Sequence, residues 1–355
     1  MELEVDITKQ LKDFTLRQRF KLAKETLGFL GASGSGKSMT LKCIAGLVTP
    51  DEGRIVLNGR VLFDSRQGIN LPIQQRRVGL LFQNYALFPN LTVKENIAFG
   101  LRGLPKKERE ERTERIMALL GIAGIRNSYP RQISGGEQQR AALARTLVTE
   151  PECLLLDEPF SALDNHIRSR LEQQLLEIIA GYQGPVVFVT HNLKECYRLS
   201  RQIMIIHQGE AVAYGSRDEV FDRPQRVEAA RLTGCKNISR MELVTPRRVK
   251  ALDWGLELEL LEEAEPGQGY LGIREHRLRL VEDPNLPNTF PAWVDQVRET
   301  PFDVSLVLRL GEDREEAGSC QPLQLTLSKE DYETVKARPC PWWLQLRPEH
   351  LFLME

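Results

Sequence analysis

The chain has 355 residues and a mass of 40.5 kDa, so at roughly 150 residues per domain two domains, or at most three, are expected. Hydrophobic residues make up 41%, mean hydropathy is −0.33, and no apolar run approaches the ~18 residues of a spanning helix, which excludes a membrane-embedded chain. With 48 basic and 49 acidic residues and a formal charge of −1, a chain whose main work is coating nucleic acid is also excluded. The opening MELEVDITKQ has no apolar core or cleavage site, and the six cysteines form no CxxC pair. No signal peptide, disulfide framework or structural zinc is therefore expected, and the chain should stay in the cytosol.

In chain order, the opening stretch carries Phe14, Leu16 and Phe20 at even spacings, as a strand does. Residues 27–30 form a short apolar run of the kind found in buried parallel strands. Directly after it, Gly31, Ala32, Ser33, Gly34, Ser35, Gly36, Lys37 and Ser38 spell GxxxxGK[ST], and a helix-like SMTLKCIAGL follows. Glycines at these positions let the backbone fold tightly enough to aim its N–H groups at phosphate, and the helix start adds the positive end of its dipole. Lys37 then reaches the β- and γ-phosphates, and the Ser38 hydroxyl holds Mg²⁺.

A second strand over residues 80–83 ends on Gln83, where a side chain can reach metal or water. Helices are expected over 106–120 and 137–147. The second is preceded by Ser134, Gly135 and Gly136 and continues through Glu137 and Gln138, so two glycines open a helix and make another anion-binding corner. One corner suffices for the phosphate held by one chain, which makes a second copy of the chain the natural partner of the other. Residues 153–157 form a buried strand that ends on Asp157, placed to organise magnesium, and Glu158, placed to take a proton from an attacking water. A strand over 186–190 ends on His191, where an imidazole can touch the γ-phosphate, and 203–206 is a further strand. Strands alternating with helices give an α/β class, a parallel sheet covered by helices. Taken singly, the corner, Gln83 and His191 each have a local reading as a helix cap, a polar strand end or a surface histidine.

All four Trp lie beyond residue 253, and strands separated by Gly and Pro turns are expected over 256–261, 269–281, 293–299, 304–310, 323–327 and 343–346, with one helix over 329–337. This is the pattern of a small β-barrel region. The boundary falls between 223 and 240, giving domains 1–235 and 236–355.

In this order the motifs resemble the ATP-binding cassette (ABC) family over residues 1–235: a Walker A loop at 31–38, a Q-loop at Gln83, a signature at ISGGEQQR, a Walker B strand at LLLDEP, a D-loop from Ser161 to Asp164, and a switch histidine at His191. The resemblance implies a P-loop NTPase fold, ATP and Mg²⁺ as ligands, and a head-to-tail homodimer. In that dimer Ser134, Gly135, Gly136, Glu137 and Gln138 act on the ATP of the opposite chain. Mg²⁺ would be held by Ser38, Gln83 and Asp157, Glu158 would be the general base, and His191 would sense the γ-phosphate. The usual position of an adenine-stacking ring holds none here, and Phe14 is the nearest aromatic residue. One cassette followed by a β-rich domain resembles the ATPase subunits of solute importers. The opening strand and TGCKNIS resemble the molybdate group, and residues 291–355 resemble its oxyanion-binding (OB/MOP-like) barrel, for which Ser305, Thr326, Ser328 and Lys329 offer hydroxyl and cationic groups.

The implied function is ATP hydrolysis coupled to uptake of molybdate or tungstate, with sulfate, thiosulfate or another solute as alternatives and a soluble ATP-dependent clamp as the rival class. The implied partners are a second copy, membrane permease subunits and, indirectly, an extracytoplasmic binding protein, but no nucleic acid. The place is the cytoplasmic face of the membrane. Residues 82–101 would receive the permease, with Tyr85, Leu87, Phe88 and Pro89 as exposed apolar contacts.

Overall fold

A computed structural model of the chain describes residues 1–161, 165–313, 315, 318 and 320–355, with the backbone alone at 165–167 and 170. Contacts divide it into two compact units, Met1–Arg217 and Asp218–Glu355. The division lies earlier than the 235/236 boundary expected from composition, because two short helices, over 217–222 and 227–232, group with the second unit.

The first unit contains strands β1 (Leu3–Gln10), β2 (Thr15–Leu22) and β3 (Thr26–Leu30), helix α1 (Lys37–Ala45), strands β4 (Glu52–Leu57), β5 (Arg60–Asp64) and β6 (Ile69–Asn70), helix α2 (Ile73–Arg76) and strand β7 (Val78–Leu81). Helices α3 (Val93–Ala98), α4 (Lys106–Leu119) and α5 (Gly135–Leu147) follow, then β8 (Cys153–Asp157), α6 (Asn165–Gly181), β9 (Val186–Val189), α7 (Leu193–Leu199), β10 (Gln202–His207) and β11 (Glu210–Ser216). Among the described residues these strands form one sheet in the order β6-β5-β4-β1-β2-β11-β10-β3-β9-β8-β7. The run β10-β3-β9-β8-β7 is parallel, and the β1, β2, β4, β5 and β6 pairs are antiparallel.

Burial explains the two strand patterns. In β1 and β2 alternate residues are covered, Leu3, Val5 and Ile7 in one and Leu16, Phe20 and Leu22 in the other, the period of a strand with one buried face. In β8 every residue is buried, because Leu154 and Leu156 pack into a core with α3, α4, α5 and α6 while Cys153 and Leu155 pack into a second core with α1. The central strands are thus held from both faces, and their ends cannot shift without opening a core.

The second unit begins with α8 (Arg217–Asp222) and α9 (Val227–Leu232). It continues through β12 (Asn237–Thr245), β13 (Arg248–Ala251), β14 (Leu256–Glu259), β15 (Tyr270–Ile273), β16 (Arg279–Val281), β17 (Thr289–Glu299), β18 (Asp303–Leu310), β19 (Leu323–Ser328), α10 (Lys329–Val335), β20 (Trp342–Gln345) and β21 (Phe352–Met354). Two antiparallel sheets, β14-β13-β12-β15-β21 and β16-β20-β17-β18-β19, enclose one core that includes Trp254, Leu306 and Leu344. The stretch expected as one strand over 269–281 is two strands in different sheets, β15 and β16, separated by a turn at 275–277. The last strand, β21, joins β15, so residues 291–355 contribute to both sheets. Asn237 joins the sheets: its amide donates to the Gln324 carbonyl at 2.8 Å and accepts from the Gln324 N–H at 2.7 Å, standing in for a neighbouring strand of β19.

Candidate functional site

Four strands of the parallel run end on the same edge of the sheet, and each releases a polar segment there. β3 leads into the loop 31–36, β8 ends on Asp157 with Glu158 after it, β9 is followed by Thr190 and His191, and β7 is followed two residues later by Gln83. The carboxyl ends of parallel strands are where open α/β sheets bind ligands. The loop after β3 is shaped by close backbone approach. A Cβ on Gly31 would lie 2.2 Å from the Ile206 carbonyl oxygen, and Gly36 has φ 108° with the Leu16 side chain 2.6 Å from where its Cβ would be.

Lys37 is 5% exposed, and its ammonium donates to the carbonyls of Gly31 at 2.8 Å and Ala32 at 2.7 Å. Burial lowers its pKa, while the carboxylates of Glu158 and Asp157 oppose that shift. Ser38 Oγ donates to Asp157 Oδ1 at 2.7 Å. Burial pushes the Asp157 carboxyl up, against the hydrogen bond from Ser38. A hydroxyl and a carboxylate in contact, with the Gln83 amide on the same cleft, are oxygen donors of the kind a hard divalent cation takes, so these residues fit Mg²⁺.

Glu158 is the meeting point of the other two groups. Its Oε2 accepts from Gln83 Nε2 at 3.2 Å and lies 3.3 Å from His191 Nδ1. Its backbone is left-handed, φ 44°, and its N–H is tied to the Val189 carbonyl of β9 at 3.0 Å. A non-glycine residue in that region costs about 1–3 kcal/mol and persists where neighbours fix it. An open cleft of about 700 Å³ is lined by the loop after β3 together with Phe14, Lys42, Gln83, Glu158 and His191. Phe14 is half-buried and stands beside the phosphate loop, a placement that follows from the β1–β2 hairpin and not from sequence proximity. The arrangement presents a cation, metal-type oxygen donors, a carboxylate and an imidazole to one space, the set that phosphoryl transfer to water uses.

The segment Ser134 to Gln138 contributes nothing to the lining of that cleft. Ser134 caps α5, and Glu137 completes a capping box: its Oε2 accepts from the Ser134 N–H and Ser134 Oγ, both at 2.8 Å. The Gln138 amide donates to the carbonyls of Pro130 and Ile133. S-x-x-E before an apolar helix is a cap signature that the sequence displays openly, and Glu137 has this local use. Of the D-loop pair, Ser161 donates to the Glu158 carbonyl at 3.0 Å, and Asp164 lies outside the described residues.

The segment 82–101 is braced from within. Asn96 is fully buried and bonds Phe88 N–H and the carbonyls of Phe88, Leu91 and Thr92. Arg145 of α5 donates to the carbonyls of Tyr85 and Ala86. Tyr85, expected as an exposed contact, is 5% exposed: left-handed backbone at Tyr85 and Ala86 turns its ring into the core. Phe88 and Pro89 are exposed and Leu87 is half-buried. Beside them lies a shallow groove of about 280 Å³ whose lining includes Leu91, Lys94, Ala98, Phe99 and Arg102. No helix among the described residues is long and apolar enough to cross a membrane.

Comparison with known proteins agrees with this geometry. Residues 19–161 match the family model described as ABC transporter. The molybdate/tungstate import ATP-binding protein of Pyrococcus horikoshii is 36% identical over 312 residues, 86% of this chain and 88% of that one. The sulfate/thiosulfate import ATP-binding protein of Synechococcus elongatus is 34% identical over 338 residues, 94% of this chain and 90% of that one. Other molybdenum and sulfate/thiosulfate import ATP-binding proteins align over only 60–61% of their own length. A dimeric ATP-binding cassette solved with ADP and Pi, in a post-hydrolysis state, superposes with a TM-score of 0.52 and 28% identity over 61% of this chain and 99% of that one. The chain belongs to the ABC transporter family, among its ATP-hydrolysing, import-type ATP-binding subunits.

Proposed function

We propose that this chain hydrolyses ATP to drive import of a tetrahedral oxyanion, molybdate or tungstate, as a peripheral subunit on the cytoplasmic side of a membrane permease. The observation that carries the catalytic part is the convergence of Lys37, Ser38, Glu158 and His191 on one cleft that the signature segment does not line, with the buried Asp157 hydrogen-bonded to Ser38. Lys37 and the loop N–H groups bind the β- and γ-phosphates, and Phe14 is the ring available to the base. Mg²⁺, held by Ser38, Asp157 and the Gln83 amide, would neutralise charge on the phosphate oxygens. Glu158 accepts a proton from the water that attacks the γ-phosphorus as the bond to the ADP oxygen breaks, and phosphate leaves. His191, whose Nδ1 lies 3.3 Å from Glu158 Oε2, orients that carboxylate and contacts the γ-phosphate.

Because Ser134, Gly135 and Gly136 stand away from this cleft, they serve the ATP of a second copy in a head-to-tail dimer. The groove beside Phe99 and Arg102 receives the permease. Support for the oxyanion comes from the molybdate/tungstate relative, which matches 86% of the chain, and the sulfate/thiosulfate relative, which matches 94%, keeps sulfate as the second reading. Uptake of labelled molybdate and labelled sulfate by cells with and without the gene tests the choice. Loss of molybdate uptake alone supports the first reading, loss of sulfate uptake alone the second, and loss of neither refutes oxyanion import.

A further inference from the structure

Behind His191 lies a buried polar cluster that the mechanism above does not use. Glu195, on α7, is 6% exposed, and Thr190, just before His191, is 2% exposed. Thr190 Oγ1 donates to Glu195 Oε2 at 2.7 Å and accepts from the Asn192 N–H at 3.0 Å. These two bonds fix the residues on either side of His191. The other carboxylate oxygen, Glu195 Oε1, lies 3.6 Å from Arg168 Nε on α6, and Arg168 Nη2 donates to the Phe160 carbonyl at 3.3 Å, two residues past Glu158. Ser161, the next residue, is bonded to the Glu158 carbonyl through both its N–H and its hydroxyl. The contacts close a loop, from Glu158 through His191, Thr190, Glu195, Arg168 and the Phe160–Ser161 turn back to Glu158.

A buried carboxylate is expensive, and local needs do not account for this one. The start of α7 is already capped by Asn192, whose Oδ1 accepts from the N–H groups of Lys194 and Glu195. The docking of α7 on α6 has its own ion pair, Arg198 to Glu172 at 2.8 Å. What remains for Glu195 is the pair of segments that carry Glu158 and His191. We propose that Glu195 is a positioning residue: with Thr190 it holds the His191 turn, and with Arg168 it ties that turn to the Glu158 segment, so that base and imidazole keep one mutual geometry through the cycle. This inference rests on the roles given to Glu158 and His191 above.

The test uses the full-length chain and single-turnover hydrolysis of radiolabelled ATP, which measures rates far below steady state. Thr190→Val keeps shape and loses the hydroxyl, Thr190→Ser restores it, and Glu195→Gln keeps shape and loses the charge that faces Arg168. Misplacing a catalytic group by a fraction of an ångström to 1 Å costs up to about a hundredfold, so T190V and E195Q should each lower the hydrolysis rate about ten- to a hundredfold with ATP affinity changed less than about threefold. T190S should recover to within about threefold of wild type. In a His191→Ala background T190V and E195Q should add less than about twofold, because they act through the side chain already removed. If their effects multiply in that background, or if T190S is no better than T190V, positioning of His191 is wrong even though His191 matters. If His191→Ala hydrolyses ATP at the wild-type rate, the reading of His191 fails first and the inference falls with it. Should T190V lack a cooperative melting transition, E195Q carries the same cycle.

Discussion

In the first unit four parallel strands, β3, β9, β8 and β7, end on one edge of the sheet, whereas the strands of the second unit run antiparallel and deliver their ends to both edges. The consequence shows in what polar side chains do. At the first edge Lys37, Ser38, Glu158 and His191 face a common cleft, and Asp157 accepts from the Ser38 hydroxyl beside it. In the second unit two of the groups read from sequence as oxyanion donors are already occupied: Thr326 Oγ1 donates to Glu275 Oε2 at 2.9 Å, and Ser328 caps α10, donating to Asp331 Oδ2 at 2.7 Å. Both stand beside carboxylates, an unfavourable setting for a dianion. Parallel topology concentrates chemistry at one place, and antiparallel topology uses the same residue types as local fasteners.

Substitutions sharpen this contrast. Glu158→Gln should cause the largest effect, a fall in kcat of about 10²–10⁴-fold with ATP still bound, as expected when a general base is lost without change of shape. Rapid-quench hydrolysis and nucleotide binding check it, and wild-type turnover would break the assignment. Lys37→Ala removes a charge-assisted contact and should weaken ATP binding about tenfold or more, measured by fluorescence titration. In the second unit Thr326→Val should leave ATP hydrolysis unchanged and lower stability by about 0.5–1.5 kcal/mol, read by denaturant melts; a loss of hydrolysis would mean that this unit does more than fasten itself.

The smallest effect is at the α5 cap. Glu137→Ala should cost up to about 1 kcal/mol. Bonds from the Ser134 hydroxyl and N–H hold the Glu137 carboxyl below its ordinary value of 4.5. A depressed carboxyl stabilises the fold fully above its ordinary value and loses that contribution as pH falls through the lower folded value. Wild type and E137A should therefore differ above about pH 5 and converge in acid.

Sequence made the cassette legible because its site is written in contiguous words. TLGFLGASGSGKS, CLLLDEP and VVFVTH each contain a strand and the polar residues at its end, so element and chemistry are read together. Features set by tertiary approach were not legible. Tyr85 reads as an exposed apolar residue until the left-handed turn at Tyr85 and Ala86 sends it inward. The place of Phe14 beside the phosphate loop depends on the β1–β2 hairpin. The partition of 269–281 between two sheets depends on β21, which arrives some seventy residues later, and local hydrophobicity does not encode it.

In the proposed head-to-tail dimer each hydrolytic site is shared, with the phosphate loop of one chain completed by Ser134, Gly135 and Gly136 of another. Gly135 is exposed at the first turn of α5, where an aspartate is tolerated by the helix but would oppose the γ-phosphate of the partner's ATP. Gly135→Asp and Lys37→Ala should each be inactive alone. Mixed, they form a heterodimer in which the phosphate loop of the first variant meets the intact signature of the second. Recovery of ATP hydrolysis in the mixture, rising with the fraction of heterodimer, is the predicted result, and a mixture no more active than either variant alone would contradict the shared site.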